Sequence, residues 1–400
     1  MTMKKLVIYS TPKSPHTTGL VQFLTSKWKT YLLCESTEKN IPDDILSLYK
    51  NYSDELTLRA DHEFIINAKK YVFKHPLISL LDLIRAKNQF RDIISYRRKA
   101  ESISKILLDI NPSLIYSHQL HAGISTYLSG FKPYVLAFWG TDVYQYVKEF
   151  NYSSLVAECL NSAKLIQTVN DEQKEILLDL FNINPDKIFV QNFGAKVKDF
   201  AYLKDKSNLR EKYGFKEKYL ILSARYNQNK EVFRLDLIIK AFKLLLDKTG
   251  LDARLIFINK AHTRTELKEL TKELGIEDKV TFMGFLAGDQ YREIISLVDL
   301  FVQCPLYDSV GISVMESLAA GVPVITTIVD GAKITIKDSF NGIFLESRKP
   351  EEIAEKIELL LKNPDKLKTM GKNAHEWAIK NCDRSIAMKN INAQLNSVVD

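Results

Sequence analysis

Two pairs of charged residues in this chain are spaced for chemistry on a phosphorylated, hydroxyl-rich ligand. Asp308 and Glu316 stand eight positions apart in Asp308-Ser-Val-Gly-Ile-Ser-Val-Met-Glu316, and Arg225 and Lys230 stand five apart in Arg225-Tyr-Asn-Gln-Asn-Lys230. An arginine fork grips phosphate oxygens bidentately, and a lysine acts as a point charge. Together they would meet negative charge developing on a leaving diphosphate. Gly311 allows a ligand close to the backbone, and the amides of Ile312 and Ser313 would open a helix whose first turn has free N–H groups for a phosphate. Carboxylates beside such a pocket accept hydrogen bonds from hydroxyls. A nucleotide-sugar carries both functions. Taken singly, each of these side chains reads as a solvated surface charge; their setting argues otherwise.

The elements that must hold them follow from the apolar pattern. Tyr219-Leu-Ile-Leu-Ser223 is a buried-strand run just before Arg225, and Asp299-Leu-Phe-Val-Gln-Cys-Pro305 another before Asp308. Gly321 stops the helix predicted over 312–320, and a strand follows over 322–326. Further strands are predicted at 253–258, 280–282 and 342–345, with helices at 233–248, 263–274, 289–297 and 350–362. An earlier series has strands at 4–10, 31–34, 113–117, 133–138, 164–169 and 187–190, and a mainly helical segment over 42–110. Strands alternating with helices predict a doubly wound parallel sheet, here twice over: two Rossmann-like α/β domains facing across a cleft. A polar, charged stretch at 193–213 marks the boundary. The expected domains are 1–195, with a C-terminal helix at about 385–400 packing back on it, and 196–384. The final helical stretch, 366–400, is broken near Asn381-Cys-Asp383.

The motif order resembles that of the retaining glycosyltransferases of family 4, which have the GT-B fold. Asp308 to Glu316 resembles their E-x7-E signature, with aspartate at the first acid and Ser309-Val310 in place of Gly-Phe. Arg225-x4-Lys230 resembles their Gly-Arg-x4-Lys-Gly element, with Ala224 and Glu231 in the glycine positions. Val280-Thr-Phe-Met-Gly284-Phe285 resembles a segment whose backbone faces the nucleotide base, and Asn192-Phe-Gly194 an interdomain turn. In the first domain, Tyr116-Ser-His118-Gln-Leu-His121 resembles a loop lining the acceptor side. Trp139-Gly-Thr-Asp142 resembles a His-Gly-Ser-Asp loop, with Trp139 at the histidine. An indole cannot exchange protons as imidazole does, but it can stack on a sugar ring. After the first strand, many relatives carry a Gly-Gly loop; here only Gly19 remains, among two prolines.

The resemblance implies a sugar transfer from a nucleoside diphosphate-sugar to an acceptor hydroxyl with retention. No cofactor or divalent metal is implied, the nucleotide-sugar being a substrate. Arg225, Lys230 and Glu316 are expected to be catalytic. Asp308, Gly311, Ile312, Ser313, Gly284 and Phe285 should bind donor, and His118, His121, Trp139, Asp142 and Gly19 should line the acceptor side. The cations are expected opposite the acids, across the donor pocket. The alternatives are an inactive sugar-binding protein on the same frame and a nucleotide-sugar epimerase.

Composition narrows the partners. With 46% apolar residues, 400 residues suffice for about two domains. The net charge of +7 is matched by residues 69–99 alone, which hold nine Lys or Arg against two Asp at roughly helical apolar spacing. A basic amphipathic helix pair with a solvated face explains this; peripheral contact with an anionic membrane is the second reading. A glycan or lipid-linked acceptor, in surface polysaccharide, lipopolysaccharide or glycolipid assembly, fits the basic segment. Nucleic acid is not expected, since no recognition motif is present. G-x-G-x-x-G after a strand is missing, which argues against a nicotinamide dehydrogenase. Cys34, Cys159, Cys304 and Cys382 are spaced for neither a disulfide framework nor zinc. His118 and His121 lack further ligands, so no metal site is expected. No run reaches the roughly 20 apolar residues of a membrane span, and the expected location is cytoplasmic, at most peripheral to the membrane's inner face.

Overall fold

The computed structural model describes residues 3–10, 15–33, 57–59, 87–140, 142–146, 153–225, 230–259 and 264–400. The chain forms two compact units, Met1–Phe193 with Ala387–Asp400, and Gly194–Ile386.

In the first unit, seven parallel strands lie in the order β3-β2-β1-β4-β5-β6-β7. They are β1 (Lys5–Tyr9), β2 (Lys29–Leu33), β3 (Thr57–Arg59), β4 (Leu114–His118), β5 (Tyr134–Ala137), β6 (Leu165–Thr168) and β7 (Ile188–Val190). Every residue of β4 and β5 is buried, as expected for parallel strands covered on both faces. Val7, Ile115, Leu136 and Ile166 pack with Ile103, Leu107 and Ile110 of the helix Lys87–Ile110 into one core. A fully buried Leu or Ile contributes about 1.5–3 kcal/mol, so this face fixes the sheet. The segment 42–110, read as mainly helical, contains a strand. β3 pairs with β2 through Tyr31↔Thr57 and Leu32↔Leu58, so sheet-edge hydrogen bonding overrides the helical reading there.

In the second unit, six parallel strands lie in the order β10-β9-β8-β11-β12-β13. They are β8 (Tyr219–Ala224), β9 (Ala253–Ile258), β10 (Val280–Phe282), β11 (Leu300–Val302), β12 (Val324–Thr327) and β13 (Gly342–Leu345). The strand read at 322–326 begins two residues later, after Pro323, which has no N–H for a ladder. The helices Leu235–Thr249 and Pro350–Leu361 bury Ile238, Ile239, Phe242, Ile353, Ile357 and Leu360 in its core.

Both sheets share the doubly wound order, and in both the winding reverses at one place. That switch point lies between β1 and β4 in the first unit and between β8 and β11 in the second. Open α/β sheets bind ligands at the carboxyl ends of the strands there. Where the chain enters the second unit, Gly194 has φ +62°, and a Cβ on it would lie 2.7 Å from Arg384 Cα. The entering chain pairs with the leaving chain: Ala195 N donates to Cys382 O and Arg384 N to Ala195 O, both at 2.9 Å. The last helix, Arg384–Val399, carries the chain back to the first unit, where Trp28 Nε1 donates to Asn392 Oδ1 at 2.9 Å.

Candidate active site

The switch point of the second sheet gathers most of the charged residues singled out above. Arg225 is the first residue past β8, and its N–H still donates to Ile258 O at 2.9 Å. Its guanidinium ion-pairs with Asp308, the two side chains being only 12% and 10% exposed. The same Nη2 donates to Gln303 Oε1, and Gln303 Nε2 donates to Thr326 Oγ1 at 3.1 Å. Phe233 closes the far side, its ring 4.6 Å from the guanidinium carbon. Asp308 and Arg225 are therefore partners, not opposed walls. A buried charge needs an opposite charge and hydrogen bonds, and each is the other's nearest counter-ion. Lys230 begins the one-turn helix Lys230–Phe233, whose last residue supplies the ring that covers Arg225.

Two glycines shape the turn at Asp308. Gly311 has φ +60°, and a Cβ there would sit 3.1 Å from both Asp308 Oδ2 and Val314 Cγ2. Gly331 N donates to Asp308 O at 3.0 Å, and a Cβ on Gly331 would lie 2.6 Å from the carbonyl carbon of Ser309. Glycine is favoured at 311 by its left-handed backbone and at 331 by the close approach of another backbone. The helix Ile312–Ala319 starts at Gly311 without a side-chain cap. Gly311 O accepts from Val314 N and Met315 N, and the amides of Ile312 and Ser313 stand at the open end of the helix dipole.

Glu316 lies one turn further along. Its carboxylate accepts from Tyr291 Oη at 2.6 Å. Burial pushes its pKa up to about 7; the Tyr291 hydrogen bond and the charge of Arg384 pull it back, and Asp199 adds to the rise. Gly284, at φ +77°, and the exposed Phe285 follow β10 at the sheet edge. β9 lies between them and Arg225's strand, so they stand about 10 Å away along the sheet.

In the first unit, the corresponding residues are engaged with one another. His118 ends β4 at the switch point, buried against Tyr116 and Phe193. Its Nδ1 accepts from Trp139 Nε1 at 2.9 Å, which fixes the neutral tautomer with the proton on Nε2. His121 lies in the helix Gln119–Leu128; its Nδ1 is hydrogen-bonded to Tyr96 Oη and its ring stacks on Tyr96. The two histidines thus serve different neighbours. Among the described residues, no group of three His, Cys, Asp or Glu side chains could hold a metal ion.

Asp142 folds back on its own loop, accepting from Gly140 N at 2.8 Å and Trp139 N at 3.1 Å. Burial raises its pKa to about 6, partly offset by those backbone donors. Gly19 is not a loop residue: it is the fifth residue of the helix Pro15–Leu24 and is buried. Proline is favoured at a first helical position, so the helix begins four residues before Gly19. The turn after β1 is held by Ser10 Oγ and Thr17 Oγ1, 2.7 Å apart; residues 11–14 lie outside the described residues. The basic stretch is described only from residue 87, and Cys34 falls outside as well; Cys159, Cys304 and Cys382 are buried free thiols.

Tyr291, Arg384, Gln303 and Gly331 surround the acids without having been singled out in the sequence. The only signal was a glycine following Val329-Asp330. Gln303 lies five residues before Asp308 in the buried-strand run, but its partner Arg225 is far along the chain, as Tyr291 and Arg384 are from Glu316.

The arrangement is that of a two-unit α/β protein with a doubly wound parallel sheet in each unit. The Anabaena protein HepE, solved in complex with UDP, superposes with a TM-score of 0.76 at 15% identity, covering 99% of this chain and 100% of that one. A model of "Glycosyl transferases group 1" matches residues 205–377, and one of "Glycosyl transferase 4-like" matches residues 63–170. An uncharacterized glycosyltransferase of Methanocaldococcus jannaschii is 29% identical over 199 residues, 48% of this chain and 50% of that protein. A GDP-mannose-dependent phosphatidylinositol monomannoside mannosyltransferase of Mycobacterium tuberculosis is 30% identical over 132 residues, 31% of this chain and 34% of that protein. These matches span half the length of those relatives or less. The fold is GT-B. The two matched regions, residues 63–170 and 205–377, are those of group 1 glycosyltransferases of family 4 type.

Proposed function

We propose that the chain transfers a sugar from a nucleoside diphosphate-sugar to an acceptor hydroxyl, with retention at the anomeric carbon, and that the second unit holds the donor. The observation that carries this reading is the part-buried Arg225–Asp308 pair at the switch point, beside the uncapped start of the helix bearing Glu316. Arg225 binds both protein acceptors through Nη2, and a guanidinium has donors to spare for a diphosphate oxygen. Lys230 and the amides of Ile312 and Ser313 add positive potential as the leaving group gathers charge. Asp308 accepts from sugar hydroxyls and Glu316 from other donor hydroxyls. The leaving phosphate oxygen takes the acceptor's proton on the same face, so no protein nucleophile is needed.

His118, His121 and Trp139 line the acceptor side, and Asp142 holds their loop in shape. The acceptor is a glycan or lipid-linked glycan of surface polysaccharide, lipopolysaccharide or glycolipid assembly, reached from the cytoplasmic face. No helix among the described residues is long and apolar enough to cross a membrane. The relatives name both UDP and GDP-mannose, so the base is tested directly. In a thermal-shift screen of UDP, GDP and their sugars, one base should raise the melting temperature by mass action, and Arg225→Ala should abolish the shift. No shift with any of them would defeat the donor-site reading.

A further inference from the structure

We propose that Arg348 is a positioning residue for the donor site, holding the backbone that carries Lys230 and the backbone that carries Asp308 in one arrangement. This rests on the donor-site reading above. Arg348 lies between β13 and the helix Pro350–Leu361, remote in sequence from both loops. Its Nε donates to Cys304 O at 3.0 Å. Its Nη2 donates to Val232 O at 2.8 Å and reaches Glu231 O at 3.4 Å. Cys304 stands just past β11, four residues before Asp308. Glu231 and Val232 belong to the single helical turn that begins at Lys230. One guanidinium thus bridges the two segments.

Physical chemistry says why a bridge is needed. A single turn leaves its last carbonyls without helical partners and has little stability of its own. Glu231 stands where the resembled signature has glycine, so the turn's shape must be imposed from outside. Arg348 supplies charge-assisted donors in a fixed fork, the geometry a lysine lacks. Leu306 N donates to the same Val232 O at 2.7 Å, completing the tie from the Asp308 side. Arg348 is itself anchored by the turn before it. Glu352, in the first turn of the next helix, accepts from Glu346 N at 2.8 Å and from Ser347 N at 2.7 Å and Oγ at 2.6 Å. The turn that bears Arg348 is therefore fixed independently of the site it serves.

The test uses the full chain, with Arg348→Met and Arg348→Lys compared to wild type. Amide hydrogen exchange is followed at 231–234 and 304–308, and the dissociation constants of UDP and GDP are measured by calorimetry. Arg348→Met should speed exchange in both segments while β8 and β12 keep their protection. It should weaken the nucleotide that wild type binds about tenfold or more, the loss of a set of charged hydrogen bonds. Arg348→Lys should recover part of that affinity. Wild-type exchange in both segments of Arg348→Met would overturn the proposal, as would unchanged affinity once they have loosened. Should Arg348→Met fail to fold, Arg348→Lys decides: weakened binding with β8 protected supports the role, and wild-type affinity refutes it. A wild type that binds neither UDP nor GDP removes the donor site itself. Wild-type binding with an unaltered Arg348→Met removes only Arg348.

Discussion

The two sheets have the same winding, yet they dispose of polar groups at their switch points in opposite ways. In the second unit, Arg225, Asp308 and Glu316 are kept as charges or near-charges, each held by a few partners: Gln303 and Phe233 for the first pair, Tyr291 for the last. In the first unit, the polar groups are spent on one another. His118 accepts from Trp139, His121 bonds Tyr96, and Asp142 caps the turn at Trp139 and Gly140. One fold therefore yields a charged edge suited to a diphosphate and an aromatic edge suited to shape. The difference lies in loops of a few residues after equivalent strands, where α/β proteins keep their chemistry.

The contrast can be broken at several points. The largest effect belongs to the charged edge: Glu316→Gln or Arg225→Ala should lower turnover, read as nucleoside diphosphate release, by ~100- to 1,000-fold, with Glu316→Gln melting near wild type and Arg225→Ala, which strands Asp308, still folded but melting lower. Equal losses from Trp139→Phe would erase the distinction between the two edges. Next comes pH. If Glu316 binds donor hydroxyls as proposed, its ionised form accepts more strongly than its protonated form, so donor affinity should rise as pH passes through about 7. Tyr291→Phe removes a bond that lowers this pKa and should move the midpoint upward; a midpoint that stays put would remove Tyr291 from the account.

Stability should run the other way. The pKa of Glu316 is raised on folding from 4.5 to about 7, so the folded state holds a proton across that window that the unfolded state releases. Its contribution is full below 4.5 and lost as pH rises through about 7; Glu316→Gln should flatten that slope.

On the aromatic edge, Trp139→Phe leaves His118 Nδ1 buried without its donor, at a cost of about 1–3 kcal/mol in a denaturant melt. Nucleotide binding should be unaffected, and a weakened nucleotide would show that Trp139 serves the donor after all. The smallest effect is expected of Asp142→Asn, which keeps one acceptor oxygen for the Trp139–Gly140 turn. It should cost less than Asp142→Ala and remove the fall in stability between 3.8 and about 6 that a raised carboxyl imposes.

Much of this was legible in the sequence because it is local. Strand, glycine, helix and proline signals placed Asp308, Gly311 and Glu316 on one loop and helix, and a buried-strand run placed Arg225 at a sheet's carboxyl end. What could not be read depends on contacts across the fold. The pairing of Arg225 with Asp308 joins residues 83 apart on two different strands' loops. Tyr291 and Arg384 reach Glu316 from separate helices with no shared motif. Gly19 was misplaced because a proline that looked like a loop breaker in fact starts a helix. The strand at 57–59 was hidden by neighbours with helical spacing; only its pairing with β2 reveals it.

The central claim is that the second unit's switch point binds the donor diphosphate. Calorimetric titration of UDP and GDP into wild type, Arg225→Ala and Glu316→Gln tests it most directly. Wild type should bind one of the two nucleotides, and both variants should weaken it, Arg225→Ala the more strongly. Wild-type affinity in both variants, with their fold intact, would contradict the account.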